Sequence, residues 1–181
     1  MDYNDFQKIE DELVNNKMEI NYYVNTIERK YNILDKMGVY VFWYYNKNKK
    51  LNELYRNLVI NGPSNEKLNI EWNWNLDNEY VCLYVGKTTT MKKRISQHLL
   101  LDTENLKNIN GCQKNKKTTA CQLRSGFDYL YSKLDNIYIL NELMEHLYLS
   151  IYFEENFINR FYLEDYLIGK LRPWFNVDSE R

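Results

Sequence analysis

The stretch Tyr80–His98, YVCLYVGKTTTMKKRISQH, most constrains what this chain can fold into. A short apolar run, Val81–Val85, ends at Gly86, and a basic segment with helical spacing follows. Thr88–Thr90 supplies N-cap side chains for a helix to about Leu101, and Met91, Ile95 and Leu99 form its apolar stripe. Arg94 and His98 are four residues apart, so they share one helix face beside that stripe. The pattern predicts strand, glycine, then a helix presenting a guanidinium and an imidazole together. Such a pair suits an anionic group with a proton acceptor beside it.

The rest of the chain divides around that stretch. Residues 4–34 carry apolar positions at three and four, from Phe6, Ile9 and Leu13 to Ile20, Val24 and Ile27. This predicts one or two helices, an N-terminal helical extension over 1–37 used for packing or dimerisation. GVYVFWYY, Gly38–Tyr45, is β-branched and aromatic behind a glycine and reads as a buried strand. A polar stretch, 46–79, is too long for a hairpin loop and reads as an insertion between paired strands. It contains the turn signal Gly62-Pro63 and IEWNWN at 70–75, a possible short strand with Trp72 and Trp74 on one face. Thr118–Leu134 has partial helical spacing. Met144–Phe153 reads as a third strand, although a helix suits it too. Asn156–Leu171 reads as a final helix closed by Pro173.

Charge narrows the partner. The chain is nearly neutral at −1, yet residues 87–124 hold nine basic and two acidic groups. A basic segment flanked by acidic ones fits a polyanion on one face; a solvated lysine-rich loop is the plainer reading. No apolar run approaches the ~20 residues that cross a bilayer. The acidic, polar start is unlike a secretory signal, and the three cysteines lack CxxC spacing. A cytoplasmic protein with reduced thiols and no membrane partner is expected.

One carboxylate stands out. On the last helix Phe157, Phe161, Ile168 and Leu171 fall within about 80° of arc, with Glu164 inside it. A carboxylate in an apolar stripe needs a partner: either an ion pair with Arg94 or Arg124, or a hard cation.

GVY at 38–40, YVG at 84–86, Arg94, His98, Glu164 and Asn176 together resemble the GIY-YIG nuclease pattern, in order. LEDYLIGKLRPWFN also resembles that family's closing segment. The resemblance runs over Gly38–Val177. Both tripeptides carry Val for Ile, and the gap between Tyr40 and Tyr84 is longer than in compact members. It implies an α+β fold, a small three-stranded antiparallel or mixed sheet flanked by helices, in a nuclease domain over 38–181. It also implies phosphodiester hydrolysis leaving 5′-phosphate and 3′-hydroxyl ends.

Roles follow on that footing. Hydrolysis needs a nucleophile, charge neutralisation and a leaving-group acid. Tyr40 is the candidate general base, with Lys87 and Arg94 lowering its pKa and His98 taking its proton. Arg94 grips the phosphate, Tyr84 orients it or the water, and Asn176 braces the site. Glu164 holds one Mg²⁺ (or Mn²⁺). His146 is assigned no role. Arg124, Lys114, Lys116 and Lys117 are candidates for DNA-backbone contact.

With no appended DNA-binding module, the chain looks most like a type II restriction endonuclease, a homodimer or higher oligomer cutting double-stranded DNA. A structure-selective repair or phage-type nuclease is one alternative. A non-cleaving nucleic-acid-binding module is the other.

Overall fold

The computed structural model describes residues 1–23, 36–47, 57–61, 67–71, 78–99, 123 and 145–176. Ten elements follow in order: α1 Tyr3–Asn15, β1 Met18–Glu19, a single turn α2 Ile20–Tyr22, β2 Gly38–Tyr45, β3 Asn57–Asn61, β4 Lys67–Glu71, β5 Tyr80–Thr88, α3 Met91–Leu99, β6 Leu147–Phe153 and α4 Phe157–Leu171. The class is α+β. All pairings among the described residues are antiparallel.

The main sheet has the order β1-β6-β2-β5. It therefore has four strands where the sequence reading expects three. The addition is Met18–Glu19, which pairs with Leu149 and Tyr148 on the open edge of β6. Two residues carry no periodicity, so only the neighbouring edge makes them a strand. The Met144–Phe153 segment resolves in favour of a strand, with a helical turn at Glu145 and His146 leading into it. In the 46–79 stretch, β3 and β4 form a separate two-stranded sheet. Strand β4 ends at Glu71, and Trp72 and Trp74 lie outside the described residues.

One sheet face is apolar. Val39, Val41, Trp43, Cys82 and Val85 pack against Ile9 and Leu13 of α1 and Leu163 and Leu167 of α4. Helix α1 begins on a reciprocal capping box between Asp2 and Asp5. Its far end is tied to the sheet: Trp43 Nε1 donates to Ser150 Oγ at 2.9 Å, and that hydroxyl donates to the Leu13 carbonyl at 2.6 Å. Cys82 is buried and free, and burial pushes its thiol pKa up.

Helix α4 buries a different stripe from the one expected. Arg160, Leu163, Glu164 and Leu167 are its buried positions, while Phe157 and Phe161 are 67% and 43% exposed. Hydropathy places the aromatics inward, but the elements under α4 accept the side whose polar members find partners. The helix ends at Arg172, in the left-handed region at φ 47°. Pro173 then stops any continuation. The chain turns back along β5, where Trp174 N donates to the Cys82 carbonyl at 3.1 Å and Phe175 N to that of Leu83 at 2.8 Å. No helix among the described residues is long and apolar enough to cross a membrane.

Candidate active site

The opposite sheet face carries the phenols, and a β-bulge puts them there. Phe42 pairs with Tyr84 but Trp43 pairs with Cys82, so Leu83 is an extra residue on β5. Side chains alternate along a strand, so an unbroken β5 would put Tyr84 on the face of Cys82. With the bulge, Cys82 and Val85 share the apolar core while Tyr84 turns to Tyr40. Their ring centroids lie 6.2 Å apart. Bulges re-aim single side chains in this way.

Both tripeptide glycines are explained by close approach. A Cβ on Gly86 would lie 2.4 Å from the Tyr40 hydroxyl and 2.8 Å from Tyr84 Cε1. A Cβ on Gly38 would lie 2.2 Å from the Tyr152 carbonyl oxygen on β6. One glycine makes room for the site and the other for the sheet.

Helix α3 supplies the next two groups. Thr88 Oγ1 accepts from Thr90 N at 3.0 Å, and the Thr90 carbonyl takes the Arg94 N–H at 3.1 Å. Met91 and Ile95 are buried, which fixes the helix rotation. The same rotation turns Arg94 and His98 toward Tyr40. Arg94 Nε donates to the Tyr40 hydroxyl at 3.2 Å, and that hydroxyl lies 2.7 Å from His98 Nε2. The phenol accepts from Arg94, and with the imidazole protonated at Nδ1 its own proton goes to His98 Nε2. His98 is buried, with its ring against Tyr40, Phe42 and Tyr84.

Burial pushes the Tyr40 pKa well above the ordinary phenol range, and the neighbouring Tyr84 adds to this. The charge and hydrogen bond of Arg94 pull the other way and lose. Of the two groups expected to lower this pKa, Arg94 does so, but burial outweighs it and the net shift is upward. For Arg94, burial opposes the charge, but Tyr40 and Tyr84 outweigh it, and the guanidinium pKa is raised.

Glu164 is 6% exposed. It forms an ion pair with Lys87, and Arg124 lies outside the described residues. One carboxylate oxygen accepts the Lys87 backbone N–H at 3.1 Å, and the other pairs with the Lys87 ammonium. The carboxylate also acts on Tyr40, raising its pKa. Asn176 stands beside it on the outer edge of β5. Its amide oxygen accepts from Val85 N and its amide nitrogen donates to the Val85 carbonyl, both at 2.7 Å. Asn176 and Glu164 thus do for this edge what a further strand would do. Neither is held by side-chain contacts alone.

A cleft of about 420 Å³ opens next to this set. Lys87, Thr88, Thr90, Lys93, Arg94 and Arg160 line it with no acidic side chain among the lining residues. Arg160 and Lys93 escaped the sequence reading. The available signal was spacing: Arg160 is one helical turn before Glu164 on the same buried face. Arg124, Lys114, Lys116 and Lys117 lie outside the described residues. His146 stacks on Tyr44, with centroids 5.4 Å apart.

Among the described residues, no group of three His, Cys, Asp or Glu side chains gathers to hold a metal. A single buried carboxylate does not make an all-protein cage. It fits a hard cation that keeps its waters and takes phosphate oxygens. The arrangement can pass a proton from phenol to imidazole while holding an anion on guanidinium and ammonium groups. No family model matches the chain, and no curated protein or solved structure does.

Proposed function

We propose that this protein is an endonuclease of the GIY-YIG type that hydrolyses phosphodiester bonds of double-stranded DNA. The observation that carries the reading is the buried Arg94–Tyr40–His98 hydrogen-bonded set beside Glu164, whose Arg94 also lines a cationic cleft.

The raised Tyr40 pKa decides the form of the base. A resting phenolate is disfavoured in this burial. Tyr40 therefore acts as a relay: it takes a proton from the attacking water as its own moves to His98 Nε2. Charge never accumulates on the phenol, and His98 is the final acceptor. Such acid–base help contributes about 10²–10⁴ in rate. Arg94 holds the scissile phosphate and neutralises charge developing on its oxygens. Tyr84, bonded to Arg94, fixes the guanidinium against the phosphate. Asn176 keeps β5 from shifting at Val85. Glu164 is the residue that would hold Mg²⁺ or Mn²⁺, with Lys87 supplying counter-charge. Such a cation, when bound, would supply Lewis-acid stabilisation of the charge that develops during cleavage.

Cutting both strands needs two such sites, so a homodimer with type II restriction activity is the specific form proposed. Digestion of plasmid DNA with Mg²⁺ tests it, with Glu164→Ala alongside. Discrete fragments bearing 5′-phosphate and 3′-hydroxyl ends are expected from the native protein. Glu164→Ala is expected to bind DNA and not cut it. Cleavage at random positions defeats the restriction reading, and binding of DNA without cleavage by the native protein defeats the nuclease reading.

A further inference from the structure

Arg160 is charged, 4% exposed, and unused by the site described above. It lines the same cleft as Arg94, Lys87 and Lys93. Among the described residues its hydrogen bonds all run through Nη1, to the Glu154 and Glu155 carbonyls at 2.9 and 2.7 Å and to Met37 S at 3.3 Å. No carboxylate among the described residues pairs with it. Burying a guanidinium without a counter-ion is costly, and neutral carbonyls offset that only in part. Those carbonyls grip one nitrogen and fix where the rest of the fork lies. A pre-placed buried cation in a cleft with no acidic lining is complementary to an anion.

The site one turn along the helix indicates which anion. Arg160 lies four residues from Glu164 on α4, a rise of about 6 Å. That offset sets Arg160 apart from Glu164 along the cleft that it shares with Arg94. It sits within reach of a neighbouring group on the same strand.

We propose that Arg160 binds the phosphate adjacent to the scissile one and so sets the register of the strand in the cleft. The inference rests on the nuclease reading. A purely structural Arg160 would tether the β6–α4 junction and have no dependence on any phosphate. A bound phosphate gives a coupling that tethering does not.

The test uses an oligonucleotide duplex whose cut position has been mapped with the native protein. Each phosphate flanking the cut is replaced in turn by a neutral methylphosphonate, and kcat and KM are measured for the native protein and R160Q. With the native protein, one of the two replacements is expected to raise KM roughly tenfold or more. In R160Q the same replacement is expected to cost little further, because the two changes remove the same contact. R160Q is also expected to lower the slope of log affinity against log salt by about one. Additive costs at both flanking phosphates, with an unchanged salt slope, overturn the proposal while leaving the nuclease reading intact. A native protein that cleaves no duplex overturns both. If R160Q does not fold, R160K is read instead: it keeps the charge and a backbone tether but not the fork. A raised KM with kcat nearly unchanged supports the proposal, and an unchanged KM overturns it.

Discussion

The two faces of the main sheet are made by the same strands and do opposite work. One presents Val39, Val41, Trp43, Cys82 and Val85 to α1 and α4 and is sealed by apolar contact. The other presents Tyr40 and Tyr84 to α3, where the buried Tyr40 hydroxyl meets Arg94 Nε and His98 Nε2. The apolar face is tolerant of exact shape, because burial is non-directional. The phenol face is not, because a hydrogen bond lost in a buried site leaves its partner unmet. The bulge at Leu83 lets Cys82 and Tyr84, two residues apart, take opposite faces.

Gly86→Ala is the most severe way to break the difference. The added Cβ would lie 2.4 Å from the Tyr40 hydroxyl and 2.8 Å from Tyr84 Cε1, so the phenols must leave their partners while the apolar face is untouched. Cleavage should vanish and the melting transition should fall, both read on one preparation. Retained cleavage would show that the close packing of the two phenols is not needed.

Tyr40→Phe separates the faces more gently. Removing the hydroxyl cuts the relay, with an expected loss of about 10²–10⁴ in kcat. Arg94 Nε and His98 Nε2 lose their partner, so stability should drop by about 1–3 kcal/mol. Single-turnover cleavage and thermal unfolding together give both numbers.

Leu163→Ala acts on the apolar face alone. A cost of about 2–5 kcal/mol is expected from denaturant unfolding, with kcat nearly unchanged at temperatures where the variant stays folded. A comparable loss of kcat would mean that the two faces are not separable.

The smallest effect concerns pH. A phenol whose folded pKa is raised stays neutral when the unfolded chain already ionises near pH ~10. Above that pH the unfolded state binds fewer protons, so stability falls as pH rises toward the folded value. Tyr40 contributes to this, as does Tyr148, pushed up to about 12 by burial and by Tyr80. Tyr40→Phe should flatten the alkaline decline of melting temperature. An identical decline in both proteins would remove Tyr40 from the account.

Much of this was legible in the chain. The glycine-flanked runs at 38–45 and 80–88 are strands, and helical spacing after Thr90 places Arg94 and His98 on one face. These are local periodicities, and local periodicity survives in a sequence. The misread face of α4 shows the limit: counting apolar residues turned Phe157 and Phe161 inward, although Arg160 and Glu164 hold the buried positions.

By itself, then, the sequence determined which residue types could form a proton relay, an anion grip and a lone buried carboxylate. Spacing fixes which side chains share a helix face or a strand face, and residue type fixes their chemistry. Tertiary structure alone decided that Tyr84 meets Tyr40, that Glu164 pairs with Lys87, that burial pushes the Tyr40 pKa up, and that Arg160 faces the cleft. Each of these depends on a register, an edge or a solvent-excluded volume made by segments far apart in the chain. No window of neighbouring residues contains that information.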